Sequence, residues 1–562
     1  MAVDTRRIRK PKQIRRRRVL DRERATDVAC GTPNAWSRVD DGGADDGRVG
    51  VRARRRRETT TVRMTTVVRA KRVGDDDGAM TTPMTGEKMS KEEEKGCRRR
   101  ARVCVVGAGA AGLAAIRALR LESHDVVAYE LASEEGGTWR YSESVELDDV
   151  AGEREDRARV HGSMYASLRT NLPREVMGFE EFPFSMRAHA GDARRFCGHR
   201  EVQSYLKRYA QTFGLTRDVE YDRRVVRVER VVRENALEEE RWSSQWSVTT
   251  ASSRCRDVVD TKTEMFDAVV VANGHYSEPR VPEFKGALEW PGKRVHSHNY
   301  RVPDEFAGKK VLLIGAMASG EDLSREIGLV ADKVYLSART WQNPAWAHAT
   351  EGIGARGNIF RKPNVAQFNR DGSIEFEDGS IAPECDVCMY CTGYKYAFPF
   401  LPDGVVRVED NCVAPLYEHC IAANALSMSF IGLPWKVVPF PMFELQARWI
   451  ARMLSGAVPM PSADEALRGA AALESQLEPN GPLPRRHAHC FGDAQFEYND
   501  RMAKLAGVAP HAGWRARMYK ATGLNKRANP ETYRDAEMPD AEELEAAEKE
   551  FKSIDIVYVE AN

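Results

Sequence analysis

Nowhere in the 562-residue chain do 18 apolar residues follow one another, which excludes a comfortable membrane-spanning helix. The nearest approach, Ala425 to Phe443, is interrupted by Lys436 and by Pro434, Pro439 and Pro441. No N-terminal apolar stretch resembles a secretory signal, and the final IDIVYVEAN is not a hydrophobic tail. The 11 cysteines are irregularly spaced, which is no disulfide framework at this length and agrees with a reducing compartment. Net charge is only +1, so the molecule as a whole is not a polyanion binder. GxSxG, HExxH and kinase-loop signatures are missing, and so is a recognisable zinc-ligand cluster, so no metal site is expected. A soluble, cytoplasmic protein follows, and if it is an enzyme its chemistry belongs to a cofactor more than to side chains.

The near-zero charge hides an asymmetry. The first hundred residues carry 28 lysines and arginines against 16 acids. Residues 1–98 are expected to form a disordered, Arg-rich extension, because they bury too little apolar surface to offset the entropy of ordering. Arg15–Arg18 and Arg54–Arg57 are basic blocks, but no nucleic-acid partner is expected from them. A plastid-targeting role is the alternative, against which stand the acidic runs Asp40–Asp46 and Gly74–Asp77. A functional start near Met84 or Met89 is a further alternative.

Order begins at Arg102. VCVVGAGAAGLAAIRALR reads as a buried strand, a tight turn and a helix, and Asp125–Leu131 as the next strand. A helix is expected around Glu201–Phe213, strands at Val225–Val232 and Trp246–Thr250, and a buried strand at Phe266–Gly274. Lys309–Gly328 repeats the strand–turn–helix pattern, followed by strands at Lys333–Arg339 and Cys385–Tyr394 and a helix at Met442–Gly456. Strands alternating with helices, twice over, indicate an α/β fold with two Rossmann-like, dinucleotide-binding domains.

In the first turn, Gly107-Ala108-Gly109-Ala110-Ala111-Gly112, the glycines permit a sharp bend, close backbone approach to a pyrophosphate, and close packing of helix on strand. The helix N-terminus offers free N–H groups to phosphates. Glu130 follows 18 residues after Gly112, placed to accept hydrogen bonds from a ribose diol. The second turn, Gly315-Ala316-Met317-Ala318-Ser319-Gly320, has Met317 at the middle position, where a side chain should hinder the pyrophosphate. Its following strand ends in Ser337-Ala338-Arg339, with no acid. Ser337 is expected to donate to a 2′-phosphate and Arg339 to pair with it, which favours NADPH over NADH.

These residues, with several collinear motifs, resemble the flavin-containing monooxygenases, class B flavin-dependent monooxygenases, and most closely their plant and algal S-oxygenating branch. The resemblance runs from about Val103 to Tyr519. Gly136-Gly137-Thr138-Trp139 is similar to the family's GG-x-W. Tyr165–Phe184 resembles the block Y-x-x-L-x-T-N-x-P, Trp290–Tyr300 the identifying sequence F-x-G-x-x-x-H-x-x-x-Y/F with Trp290 for Phe, and Cys391–Tyr394 the A-T-G-Y segment. Phe443–Trp449 and the late YND and WRARMY segments also look like the plant branch.

The resemblance implies an FAD domain interrupted by an NADPH domain: residues 99–278 for the first part of the FAD domain, 279–384 for the NADPH domain, 385–530 for the rest of the FAD domain and C-terminal helices, and 531–562 as a charged tail. It implies FAD at Gly107–Gly112, Glu130 and Gly137–Trp139. NADPH would lie at Gly315–Gly320, Ser337 and Arg339. A flavin C4a-hydroperoxide, formed with O2 and shielded from water, would oxygenate a thioether sulfur or amine nitrogen of a small molecule. Asn171 would take the direct part near the flavin and nicotinamide, accompanied by Thr170. Baeyer–Villiger or N-hydroxylating chemistry, an NADPH oxidase-like flavoprotein and a non-catalytic FAD-binding protein stay open as alternatives, as does a homodimer.

Two tempting features read as structural. Cys385, Cys388 and Cys391 spell C-x-x-C-x-x-C, but residues three apart in a strand face opposite sides. His296 and His298 sit in a turn-rich segment, and His296 is expected to organise the interdomain link.

Overall fold

The computed structural model describes residues 99–186, 190–231, 245–254 and 258–554. The expectations for residues 1–98 lie outside them.

The chain opens as the apolar runs dictate. β1 (Arg102–Val106), α1 (Ala110–Leu121) and β2 (Asp125–Tyr129) form a strand–helix–strand unit. α2 (His199–Thr212) leads to β3 (Val219–Glu220). The antiparallel strands β4 (Arg223–Val231), β5 (Gln245–Ser252) and β6 (Lys262–Phe266) make a small side sheet before β7 (Ala268–Val271) returns to the main one.

A second unit follows: β8 (Lys293–His296), β9 (Lys310–Ile314), α3 (Ala318–Gly328), β10 (Lys333–Ser337) and β11 (Ile359–Lys362). A three-stranded layer, β12 (Val365–Phe368), β13 (Ile374–Phe376) and β14 (Ile381–Ala382), precedes β15 (Val387–Tyr390). The hairpin of β16 (Arg407–Glu409) and β17 (Cys412–Ala414) comes next, then β18 (Leu416–Tyr417), β19 (Ile421–Ala422) and β20 (Met428–Phe430). Helices α4 (Pro439–Ser455), α5 (Ala463–Glu474), α6 (Gln495–Ala506), α7 (Trp514–Ala528) and α8 (Ala541–Lys552) complete the described chain.

The seven-stranded main sheet runs β18-β19-β20-β7-β1-β2-β3, and the five-stranded second sheet runs β11-β10-β9-β15-β8 with every pair parallel. The central strands are continuous apolar runs because both faces are covered. Val103, Val105, Ala268 and Val270 pack with α1 and α4, while Cys104, Val106, Val269 and Val271 pack with the side sheet. In the second sheet Val311 and Leu313 face Leu323 and Ile327 of α3, whereas Leu312 and Ile314 face Phe368, Ile374 and Phe376. α4 starts on Pro439, as suits proline at a first helical turn, and ends on Gly456 at φ +76°. No described helix is long and apolar enough to cross a membrane.

Two expected boundaries change. The Cys385–Tyr394 segment does not return the chain to the first domain: β15 lies in the second sheet, between β9 and β8, and the chain leaves that sheet only after Tyr390. Its four residues are buried on both faces, the property of a central parallel strand. Cys388 and Cys391 face opposite layers of that sheet. Residues 531–554 are also no free tail. Arg195 pairs with Asp540 at 2.9 Å, the Trp514 indole donates to Glu550 at 2.6 Å, and Ala547 is fully buried.

Candidate active site

The first turn is built by sterics that leave two positions no side chain and crowd a third. Gly107 sits at φ +101°, and a Cβ there would lie 2.7 Å from the Ala272 carbonyl oxygen. A Cβ on Gly112 would lie 1.9 Å from the Gly107 oxygen, so only glycine lets α1 start this close to β1. Gly109 is constrained by the chain itself. The Gly136–Trp139 segment crosses it, the Gly136 N–H donates to the Ala108 carbonyl at 3.1 Å, and a Cβ on Gly137 would lie 2.8 Å from the Gly109 Cα. Thr138 is half-buried beside this crossing, and Trp139 packs edge-on against Phe440 of α4.

Gly109, the N-cap of α1, has no side chain to cap the first-turn N–H groups. Those groups and the positive end of the helix dipole make an anion cradle. Glu130 is buried with its two oxygens accepting from the N–H groups of Ala108 (2.6 Å) and Ala132 (2.8 Å). Burial pushes its carboxyl pKa up, against those two amides. Each oxygen keeps a lone pair that can take a further donor. Sequence reasoning missed Gln203 of α2, which donates to the Glu135 carbonyl and keeps its own buried oxygen without a protein partner among the described residues.

The second turn repeats the backbone. Gly315 is at φ +107°, with a Cβ there 2.5 Å from the Cys391 oxygen, and a Cβ on Gly320 would lie 1.7 Å from the Gly315 oxygen. Met317 caps α3 at φ −82°, ψ −171°, nearly the values of Gly109 at φ −72°, ψ −172°. Its side chain is 57% exposed. Ala316 packs on the core below, while Ala318 and Ser319 are exposed at the helix start.

The register of the following strand corrects one expectation. The Gly315 N–H donates to the Ser337 carbonyl at 2.8 Å, as the Gly107 N–H donates to Tyr129 at 2.8 Å. Ser337 therefore stands where Tyr129 stands and Ala338 where Glu130 stands. Ser337 is fully buried and its hydroxyl donates to the Pro363 carbonyl at 2.7 Å, so it is not free for a phosphate. Arg339, one residue on, is exposed. Arg280 lies close enough that, after burial, repulsion by Arg339 lowers its pKa. His487 is depressed by burial and then by Arg486, Lys436 and Arg339. This gathering of cations from four chain segments was invisible in the sequence.

Thr170 and Asn171 lie on a loop between the two units. The Thr170 N–H donates to the Cys197 carbonyl at 2.9 Å, and its buried hydroxyl has no partner among the described residues. Such an orphaned buried polar atom is one that a bound group could satisfy. Asn171 is exposed, and its side chain makes no hydrogen bond among the described residues.

The identifying segment, Trp290–Tyr300, packs its two histidines against Tyr394. His296 Nδ1 accepts the His298 N–H at 3.0 Å, so Nε2 carries the proton and donates to the Gly393 carbonyl at 3.1 Å. Burial holds His296 neutral, with its pKa pushed down to about 3. The Tyr394 ring meets His296, His298 and Tyr276 edge-on. Tyr276 is 45% exposed, yet its surroundings are dense enough to raise its phenol pKa by burial. No group of three or more metal-ligating side chains occurs among the described residues.

A model of the family described as flavin-binding monooxygenase-like matches residues 100–348 and 351–514. The chain is 43% identical over 438 residues to the flavin-containing monooxygenase FMO GS-OX-like 4 of Arabidopsis thaliana, covering 77% of this chain and 93% of that protein. It is 42% identical over 438 residues to FMO GS-OX5 of the same plant, covering 77% and 91%. The solved structure of S-allyl-L-cysteine S-oxygenase from Allium sativum is similar with a TM-score of 0.74 and 41% identity, over 81% of this chain and 99% of that one. Tmm from Pelagibacter sp. strain HTCC7211, 23% identical with a TM-score of 0.63 over 77% and 93%, shares the fold.

Proposed function

The chain belongs to the flavin-binding monooxygenase-like family and is an NADPH-dependent flavin-containing monooxygenase with FAD as its cofactor; on that premise we propose how its two units divide the work and what it oxygenates. FAD takes the turn Gly107–Gly112, with its pyrophosphate at the start of α1, a ribose at Glu130 and Gly137–Trp139 alongside. NADPH takes the turn Gly315–Gly320, with Arg339 meeting the 2′-phosphate. The observation that carries this assignment is the single register position at which Glu130 in the first unit faces Ala338 in the second. A carboxylate suits a free diol and repels a phosphate dianion; an alanine beside an exposed arginine does the reverse.

FAD, when bound, would supply the redox chemistry that links NADPH to O2. The chain's own residues bind, orient and exclude water. Asn171 offers an amide that donates and accepts without changing charge. The orphaned Thr170 hydroxyl supplies a second neutral contact. Neutral groups suit an oxygen donor that is lost when a proton reaches it too early.

The acceptor is the sulfur of a small thioether. The 41% identical S-allyl-L-cysteine S-oxygenase supports sulfur over nitrogen. One atom of O2 joins sulfur and the other leaves as water, with one NADPH oxidised per sulfoxide. The test is turnover of a thioether and an amine panel under 18O2. One labelled oxygen per sulfoxide and one NADPH per product are expected. Labelled N-oxide without sulfoxide would move the assignment to nitrogen, and peroxide without either product would make the protein an oxidase.

A further inference from the structure

The loop that carries Asn171 is fastened to the helix of the second nucleotide turn, and the fastening passes through a C-terminal arginine. Asp322 and Glu326 lie one helical turn apart on α3, just beyond the glycine turn. The Tyr165 hydroxyl donates to Asp322 at 3.2 Å and the Ser167 hydroxyl to Glu326 at 2.7 Å. Arg534 grips Asp322 with both terminal nitrogens, at 3.1 and 2.6 Å, while its Nε donates to the Thr170 carbonyl at 3.0 Å. Arg169 completes the set by donating to Asp535 at 2.9 Å and to the Arg534 carbonyl at 3.3 Å. The same C-terminal stretch holds α3 through Lys526 to Glu321 (2.6 Å) and Glu531 to Arg325 (2.9 Å).

The Thr170 carbonyl and the Asn171 N–H belong to one planar peptide unit. A donor that fixes that carbonyl fixes the plane from which Asn171 projects. The Arg534 guanidinium is a rigid fork, so its orientation is set by the bidentate bond to Asp322. A shift of the first turns of α3 is therefore passed to the Asn171 peptide with little slack. The pair is about four-fifths shielded, with side-chain exposures of 18% and 19%, so the linkage is not a screened surface contact.

We propose that Arg534 is a positioning residue that couples the second nucleotide turn to Asn171, so that a dinucleotide bound at α3 orders the Asn171 loop through Asp322 and Arg534. This rests on the assignment of Asn171 made above. It makes the C-terminal segment part of the machinery that keeps NADPH oxidation tied to oxygen transfer.

The test uses the FAD-loaded full chain as wild type, Arg534→Ala, Arg534→Lys, Asn171→Ala and the double variant. Hydrogen exchange of the segment around residues 165–172 is followed with and without NADP+, and peroxide released per NADPH is measured with a thioether present. In the wild type NADP+ is expected to slow exchange of that segment. In Arg534→Ala the protection disappears while NADP+ still binds, peroxide per NADPH rises several-fold, and KM for NADPH stays within about two-fold. Arg534→Lys keeps the charge but not the fork and should recover little. It also supplies the same readouts should the alanine variant fail to fold. The double variant should be no worse than Asn171→Ala.

If the Arg534 variants fold, keep NADP+ protection of the loop and stay coupled while Asn171→Ala uncouples, the proposal is overturned and the Asn171 assignment stands. If Asn171→Ala stays coupled, that assignment fails, and the proposed route fails with it whatever Arg534 does.

Discussion

The two glycine-rich turns share a backbone and differ in what crosses it. At the first, the Gly136–Trp139 segment lies on the turn, so Gly109 leaves no room for a Cβ at Gly137 (2.8 Å), and a Cβ at Gly109 would crowd the Gly137 Cα at 3.3 Å. At the second the middle position takes Met317 at almost the same φ and ψ as Gly109, and its side chain points out with 57% of its surface accessible. The glycine of the first motif thus answers to a neighbouring chain segment, and a methionine is tolerated where no such segment closes in. The second difference is one register position. Glu130 bonds the Ala108 amide, whereas Ala338, at the matching position, offers the Ala316 amide no carboxylate. The two turns therefore differ in a crossing segment and in a single strand-end residue, and the proposed division of FAD and NADPH rests on that difference.

The sharpest way to break this comparison is to disable one turn at a time. Gly112→Ala puts a Cβ 1.9 Å from a carbonyl oxygen, and Gly320→Ala puts one 1.7 Å from its counterpart. Overpacking of this kind costs about 3 kcal/mol, roughly a hundredfold in binding. Gly112→Ala should purify without yellow colour. Gly320→Ala should stay yellow but oxidise NADPH about a hundredfold less efficiently. Loss of flavin from both would show that the units do not divide the cofactors.

Arg339→Ala comes next. A charge-assisted contact contributes about 1.5–3 kcal/mol, so kcat/KM for NADPH should fall by roughly 10- to 100-fold while that for NADH stays within about two-fold. Equal losses with both nucleotides would remove Arg339 from the phosphate site.

Ser337→Ala should behave differently from its neighbour. Its hydroxyl is spent on Pro363, so stability in denaturant should drop by about 1–2 kcal/mol with the NADPH-to-NADH ratio unchanged. A change in that ratio would restore the serine to the ligand site.

The smallest effect is expected for Met317→Gly. With its side chain in solvent and glycine a good N-cap, stability should move by less than about 1 kcal/mol, and KM for NADPH by less than threefold. A large gain in NADPH affinity would mean that Met317 does obstruct the pyrophosphate.

Much of this was legible in the residues. The apolar runs VCVV and VLLI could only be central strands, and the spacing of Gly107, Gly109 and Gly112 could only be useful at a strand–helix turn. The acid at Glu130 and its absence in the second unit were also readable. What was misread has a common physical origin. Ser337 and Arg339 were both expected at the phosphate, but β10 ends at Ser337, whose hydroxyl is spent on the Pro363 carbonyl, while Arg339 lies beyond the strand and is exposed; where the strand stops, and which carbonyl lies beside it, composition does not reveal. β15 looked like a return to the first sheet because a buried strand carries no mark of which sheet it joins. The 531–554 segment looked like a tail because its charges are paired only across long sequence distances, Arg195 with Asp540 among them.

The sequence by itself determined that two dinucleotide turns exist, because their glycines are demanded by short-range sterics between residues a few positions apart. Only the tertiary structure decided which side chains those turns can use. Ser337 turned inward, Arg339 outward among other cations, and Arg534 from the far end of the chain onto the peptide before Asn171. Those are contacts between residues up to 364 positions apart, set by how strands register and helices dock, and no local pattern carries them.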